Sequence, residues 1–101
     1  MKVVVLPLLV LLMFASGCVN EVTDENMALE KCRELCESSD LDLDASPCLS
    51  NDVAKDWVCD VAHSPRQEID NQPENQCEAY RNGTAHHFVE LDADCELIKM
   101  Q

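Results

Sequence analysis

The spacing of hydrophobic positions changes along this chain, and each change predicts a different element. Residues 3–14 form a nearly continuous apolar run. Further on, apolar residues recur at spacings of three and four: Met27, Ala28, Leu29, Cys32, Leu35 and Cys36. These spacings place side chains on one face of an α-helix. We predict a helix from Asp24, as its N-cap, to about Ser38 or Ser39.

The middle of the chain predicts a short strand followed by a long loop. Trp57–His63 is a short run rich in valine, with one tryptophan and one cysteine, which predicts a partly buried strand. Before it, Ser50 is placed to cap a short helical turn through residues 52–54. The stretch Ser64–Gln76 contains two prolines and many amide side chains, and is predicted to be a loop. A loop of this length in a small domain is often functional.

Asn82-Gly83 lies between two runs of alternating apolar and polar residues. Because Asn-Gly is the preferred pair of a type I′ turn, the pattern predicts a hairpin with strands at Cys77–Arg81 and Thr84–Leu91. The alternation predicts that the adjacent His86 and His87 lie on opposite faces of the second strand. With a third strand at 95–100, the chain is predicted to have an α+β fold. In this fold one N-terminal helix packs on a short antiparallel β-meander.

The apolar run at the start of the chain has the order of a secretory signal. Lys2 supplies a positive charge, the apolar segment follows, and Ala15-Ser16-Gly17 supplies small residues before Cys18. As a helix the run extends about 21 Å, short of the roughly 30 Å hydrocarbon layer of a bilayer. We therefore predict a signal peptide at 1–17, a tether at 18–23 and a disulfide-rich domain at 24–101.

Ser16-Gly17-Cys18 resembles the end of the lipobox of prokaryotic lipoprotein precursors, with Ala15 in place of the more usual leucine. This resemblance implies that the Cys18 thiol carries a covalent lipid and that the mature protein is anchored to the cell membrane on its extracytoplasmic side. The same small residues also satisfy ordinary signal peptidase, so a secreted soluble protein is the alternative. The mature domain resembles small cysteine-rich lipoproteins of uncharacterised prokaryotic families, a resemblance that implies no particular activity.

Cysteine is the expected source of stability in the mature domain. The chain has seven cysteines, and beyond Cys18 an even set remains: Cys32, Cys36, Cys48, Cys59, Cys77 and Cys95. Because a domain this small cannot rely on its core alone, we predict that these six form three disulfides in an oxidising compartment. Cys32 and Cys36 share one helical face and are expected to bond to different partners. The sequence leaves the pairing open.

The charge of the chain excludes some partners. Twenty acidic residues face seven basic ones, and the formal net charge is −13. Nucleic acid is excluded as a partner because its phosphates would be repelled. The same charge argues against an ionic contact with anionic lipid headgroups, which leaves the lipid anchor as the membrane contact.

The sequence contains none of the motifs that would indicate a catalytic site. It has no Cys-x-x-Cys pair, no glycine-rich phosphate loop and no serine in a nucleophile elbow. We therefore predict no enzymatic activity, no catalytic residues and no cofactor besides the lipid at Cys18. Asn82-Gly83-Thr84 matches the acceptor pattern for N-glycosylation, which makes Asn82 a candidate for that modification.

Two hypotheses of function follow. The favoured one is a non-catalytic binding or envelope-interaction module that contacts an unidentified cell-surface protein or ligand. Its expected surface is the Ser64–Gln76 loop with Trp57, His63 and Arg66. The alternative is a metal-binding or metal-dependent protein that uses His63, His86 and nearby carboxylates.

Overall fold

The computed structural model of the protein describes residues 23–101. The predicted signal peptide, Cys18 and the tether up to residue 22 lie outside the described residues. Within residues 23–101, no helix combines the length and the apolar character that a membrane span requires.

Helix α1, Asp24–Glu37, confirms the predicted amphipathic helix. Its N-cap is Thr23 rather than Asp24, because the Thr23 hydroxyl accepts a hydrogen bond from the Asn26 amide at 3.1 Å. Asp24 lies instead in the first turn, where the helix dipole favours a negative charge. Leu35 is 39% exposed and does not belong to the buried stripe. That stripe consists of Ala28, Cys32 and Cys36.

Four strands form one sheet in the order β1-β2-β3-β4: Cys48–Ala54, Trp57–Val61, His87–Leu91 and Leu97–Met100. The outer pairs are antiparallel, whereas the central pair, β2 with β3, is parallel. The α+β class and the single main helix on a small sheet are confirmed. The prediction of a fully antiparallel meander is wrong for the central pair. Parallel neighbours need a long connection, and the crossover at residues 62–86 provides it.

The prediction of a helical turn at residues 52–54 is wrong, because these residues belong to β1. The turn that joins β1 to β2 consists of Lys55 and Asp56, and Asp56 has a φ of +70°. Val53 and Ala54 are buried in the core that α1 covers. Burial of this pair on the sheet therefore outweighs the local capping preference of Ser50.

The predicted hairpin at Asn82-Gly83 is also wrong. Residues Glu78–Arg81 form a short helix, α2, and Gly83 follows its end with a φ of +83°. A glycine at positive φ suits a helix C-terminus as well as a type I′ turn, so the Asn-Gly pair does not distinguish the two. The amide of Ala79 donates to Asn51 Oδ1 at 2.9 Å, which joins the start of α2 to β1. Strands β3 and β4 lie within the segments predicted as strands at 84–91 and 95–100.

The sheet has a core on each face. Towards α1, the helical stripe packs on Val53, Trp57, Cys59, Val61, Val89 and Leu91. On the opposite face, Val58 packs with Cys77 and Ala85 of the crossover. Residues of β2 therefore alternate between the two faces, as the pleat of a strand requires.

Three disulfides connect these layers, as predicted. Cys32–Cys59 joins α1 to β2, and Cys36–Cys95 joins α1 to the turn before β4. Cys48–Cys77 joins β1 to the crossover. Cys32 and Cys36 thus bond to different partners, and the pairing that the sequence left open is defined.

We predict that peptide mapping of the unreduced protein will recover these three cross-links and no free thiol among the six cysteines. Replacing Cys36 and Cys95 together with alanine should lower the free energy of unfolding by about 2–5 kcal/mol, because this bond closes the longest loop, with a sequence separation of 59. Denaturant titration measures this loss. A different pairing in the mapping, or an unchanged free energy of unfolding, would contradict the arrangement.

Candidate functional site

A cleft of about 480 Å³ lies on the face of the sheet opposite α1. Strands β2 and β3 form its floor, while the crossover and β4 form its walls. Its lining side chains include Val58, Asp60, His63, Arg66, Tyr80, Phe88, Glu90 and Lys99. The floor residues alternate along their strands with the residues that face α1.

Asp60 is a carboxyl at the floor of the cleft without a hydrogen-bond partner. Its Oδ1 is buried and accepts no hydrogen bond from any described residue. Glu90 is its direct neighbour across the parallel pair of strands. Burial, and then the negative charge of Glu90, raise the pKa of Asp60 to about 7, against the opposing influence of Arg66. Asp60 therefore changes its charge near neutral pH.

Arg66 balances the charge of Glu90, and each of its three nitrogens donates one hydrogen bond. Its Nη1 donates to Glu90 Oε1 at 2.8 Å. Its Nε donates to Asn71 Oδ1 at 2.9 Å, and its Nη2 donates to the carbonyl of Asp70 at 3.1 Å. The guanidinium thus holds the crossover against β3, and its three hydrogen bonds go to acceptors other than Asp60.

Asp70 organises the wall next to Arg66. The carboxylate is buried and accepts hydrogen bonds from the amides of Gln67 at 2.7 Å and His63 at 3.1 Å, and from the Ser46 hydroxyl. Nδ1 of His63 lies 2.9 Å from Asp70 Oδ1, which fixes the orientation of the imidazole at the edge of the cleft. Burial alone would raise the pKa of Asp70, but the hydrogen bonds outweigh it and hold that pKa well below its usual value.

One side of the cleft is apolar and aromatic. The rings of Tyr80 and Phe88 meet edge to face, with their centroids 5.2 Å apart. Nζ of Lys99 lies 5.9 Å from the centroid of Phe88, near the solvent-exposed rim. The cleft therefore combines an unpaired carboxyl with an apolar wall, an arrangement typical of small-ligand sites.

A second polar cluster lies at the other end of β2. Asp56 Oδ1 is 2.8 Å from His86 Nδ1, and Asp56 Oδ2 is 3.6 Å from His87 Nε2. The imidazole of His87 also stacks on the ring of Trp57 at 4.8 Å. The hydrogen bond from His86 lowers the pKa of Asp56. Because β3 begins only at His87, His86 is not constrained by the strand pleat, and both imidazoles approach one carboxylate instead of diverging.

The structure does not bring His63 and His86 together. His63 comes after the C-terminal end of β2. His86 bonds to Asp56, which comes just before the N-terminal end of the same strand. Among residues 23–101, no group of three or more histidine, cysteine, aspartate or glutamate side chains has an arrangement that could hold a metal ion.

The predicted binding surface agrees with the cleft in part. His63 and Arg66 line it, as do Ser64 and Gln76 at the two ends of the predicted loop. Between these ends the loop forms two short 3₁₀ turns, Glu68–Asn71 and Pro73–Asn75. Trp57 lies elsewhere: it is 7% exposed and packs in the core towards α1.

The glycosylation candidate lies outside the cleft. Asn82 is exposed, and its Oδ1 accepts hydrogen bonds from the amide of Thr84 at 2.9 Å and from the Thr84 hydroxyl at 2.6 Å.

Sequence reasoning missed Asp60 and Glu90, which line the cleft, and it also missed Asp70 and Ser46, which hold the wall residue His63 in place. Asp60 left a signal, because it is an acidic residue within the apolar run Trp57–Val61. Alternation along that run places Asp60 on the face opposite Trp57, Cys59 and Val61. Glu90 lies beside Asp60 in the register, and alternation along β3 places it on the same face of the sheet. The partners of Asp70 come from distant parts of the chain, and no local pattern indicates them.

Comparison of the chain with protein-family models, with curated proteins and with solved structures finds no match.

We predict that Asp70→Ala lowers the free energy of unfolding at pH 7 by about 2–4 kcal/mol, because the part-buried amides of Gln67 and His63 and the buried hydroxyl of Ser46 lose their acceptor. The folded-state pKa of Asp70 lies below the unfolded value of 3.8, so its contribution is complete above that pH and is lost as the pH falls through the folded-state pKa. The difference between wild type and variant should therefore shrink on acidification below pH 4.

Denaturant titrations of both proteins between pH 7 and pH 2 measure this dependence. Asp40→Ala, at an exposed position after α1, is the control and should change stability little at any pH. If the cost of Asp70→Ala does not vary with pH, the hydrogen-bonded carboxylate does not have the assigned role.

Proposed function

We propose that this protein is an extracytoplasmic, lipid-anchored binding module without catalytic activity, and that its ligand occupies the cleft formed by β2, β3 and the crossover. The observation that carries this proposal is Asp60. It is a carboxyl with a buried, unpaired oxygen, and it lies at the floor of a cleft with an apolar wall. Leaving such an oxygen unsatisfied costs stability and is rare in natural proteins, and a bound ligand that supplies the donor would remove this cost.

The disulfides and the charge support the location. Three disulfides persist only in an oxidising environment, which lies outside the cytoplasm. A chain with a net charge of −13 remains soluble in such an environment, and it does not attract nucleic acid. The Ser16-Gly17-Cys18 sequence supports a lipid at Cys18 as the attachment to the membrane.

The bonding of the polar groups in the cleft supports binding rather than catalysis. Each nitrogen of Arg66 donates to a protein acceptor, and Asp70 accepts several hydrogen bonds that hold the crossover in place. All six cysteines of the described residues are in disulfides, so none of these six is a free thiolate nucleophile. The arrangement is a rigid polar frame around one unpaired carboxyl.

We predict that the native protein partitions into the detergent phase and that Cys18→Ser releases it or stops its processing. Intact-mass analysis should find Cys18 with an added lipid mass. Finding an unmodified Cys18 at the N-terminus of the native protein would overturn the anchor and favour the secreted alternative.

We further predict that small ligands bind in the cleft against the aromatic wall. A nuclear magnetic resonance screen of small organic cations, anions and neutral compounds should perturb the amide signals of Asp60, Phe88 and Glu90 with at least one charge class. Tyr80→Ala should weaken that binding about fivefold or more, because half of the aromatic pair is lost.

Leu35→Ala is the matched control for Tyr80→Ala. Leu35 is a similarly exposed hydrophobic residue, 39% against 43%, and lies on α1, which packs on the face of the sheet opposite the cleft. This substitution should leave binding unchanged. If no compound of any charge class perturbs the cleft signals, the cleft is not a ligand site.

A further inference from the structure

We propose that the group recognised by the cleft is an alkylammonium: a primary amine cation on a short apolar chain, with its nitrogen at Asp60 and its chain against Phe88 and Tyr80. This inference rests on the proposed function, because it names the chemistry of the ligand for that same site.

Of the three carboxyls in and beside the cleft, two have partners and one has none, and this difference favours a cation as the ligand. Glu90 has Arg66 as its ion-pair partner at 2.8 Å, and Asp70 accepts several hydrogen bonds. Asp60 has neither an ion-pair partner nor a hydrogen-bond donor among the described residues. The unmet requirement of the site is therefore a donor with positive charge. An ammonium supplies up to three N–H donors.

The apolar wall defines what the ammonium is attached to. Val58 is fully buried beneath the cleft, and the edge-to-face pair of Tyr80 and Phe88 flanks it. An alkyl or aryl chain attached to the ammonium would replace water on the exposed faces of the two rings, and the rings also attract a cation. The Nζ of Lys99 already lies over the ring of Phe88. Because Lys99 is exposed at the rim, water and salt screen its repulsion of a second cation.

Size and long-range charge agree with this ligand. A volume of about 480 Å³ is within the range of small-molecule sites, and it admits one small amine or one protruding lysine side chain. The net charge of −13 attracts cations to the surface and repels anions. A small amine and a lysine side chain are the two possible sources of the ligand, and both carry the same alkylammonium group.

Binding of a cation at Asp60 should release a proton. Burial and the charge of Glu90 raise the pKa of Asp60 to about 7, Asp70 acts in the same direction, and Arg66 opposes them. The walls of the cleft also contain the ionisable side chains of His63, Tyr80 and Lys99. Because the ammonium requires the carboxylate form, its affinity should rise with pH up to about 7–8. Below the pKa, the rise should approach about tenfold per pH unit.

The test uses the native, disulfide-bonded protein in non-ionic detergent and three probes that each carry one polar group on a phenylethyl chain: 2-phenylethylamine, 2-phenylethanol and 3-phenylpropionate. Calorimetry and amide chemical shifts measure binding between pH 5.5 and pH 8. The amine should bind at least tenfold more tightly than the alcohol or the acid at pH 8, and its affinity should fall on acidification. Nα-acetyl-lysine methylamide, as a fourth probe, separates the sources: comparable affinity supports a lysine side chain, and weaker affinity supports a free small amine.

Asp60→Asn keeps the shape of the side chain and removes its charge, so it should weaken the amine at least tenfold at pH 8 and flatten the pH dependence. Asp40→Asn makes the same charge change at an exposed site and should have no effect. If Asp60→Asn does not fold, the pH dependence of the wild type remains as the test.

Two results would overturn the inference. The first is equal or tighter binding of the alcohol or the acid in the cleft, which would leave the proposed binding function intact. The second is amine binding that neither Asp60→Asn nor pH changes. A lack of binding by all four probes, together with a negative screen of the other compounds, would overturn the binding function itself.

Discussion

The disulfide between Cys32 and Cys59 joins the buried face of α1 to the central strand β2, and the other layers are arranged around this bond. The core is too small to fix the helix by packing alone, since its largest fully buried side chains are valines and a single leucine. One helical turn later, Cys36 bonds to Cys95 just before β4. Two bonds from one helical face therefore hold α1 across three strands of the sheet.

Because α1 covers only one face, the opposite face depends on the crossover between the parallel strands. The disulfide Cys48–Cys77 holds the far end of this segment, and a polar network holds the near end. Asp70 is the centre of that network and connects Ser46, which precedes β1, with His63, which follows β2. Arg66 extends it to Glu90 on β3. The crossover is thus fixed at both ends, and a cleft remains between them.

The parts of the fold that local periodicity determines were predictable, and the parts that depend on distant partners were not. The spacing of Ala28, Cys32 and Cys36 indicates a helix without reference to any distant residue. For this reason α1 was predicted nearly to its ends. The Asn82-Gly83 pair is compatible with both a hairpin and a helix end, and a choice between them requires knowledge that Cys77 bonds to Cys48. The same applies to the site. His63 and Arg66 could be named from the composition of their loop. The position of Asp60 beside Glu90, in contrast, follows from the parallel register of β2 and β3.

The pKa of Asp60 is raised whereas that of Asp70 is lowered, and the difference lies in their hydrogen-bond donors. Burial opposes a charge on both carboxyls. Asp70 overcomes it because two backbone amides and a hydroxyl point at its oxygens, so the negative charge stabilises the crossover. Asp60 lies within a regular strand, where the neighbouring amides are used by the sheet and the nearest charged side chain on β3 is the like-charged Glu90. The backbone of the sheet provides no hydrogen-bond donor to the Asp60 carboxyl on its face. Arg66 of the crossover forms its ion pair with Glu90 and not with Asp60. The fold therefore leaves Asp60 Oδ1 without a donor among residues 23–101, and this missing donor links the architecture of the cleft to the proposed recognition of a ligand.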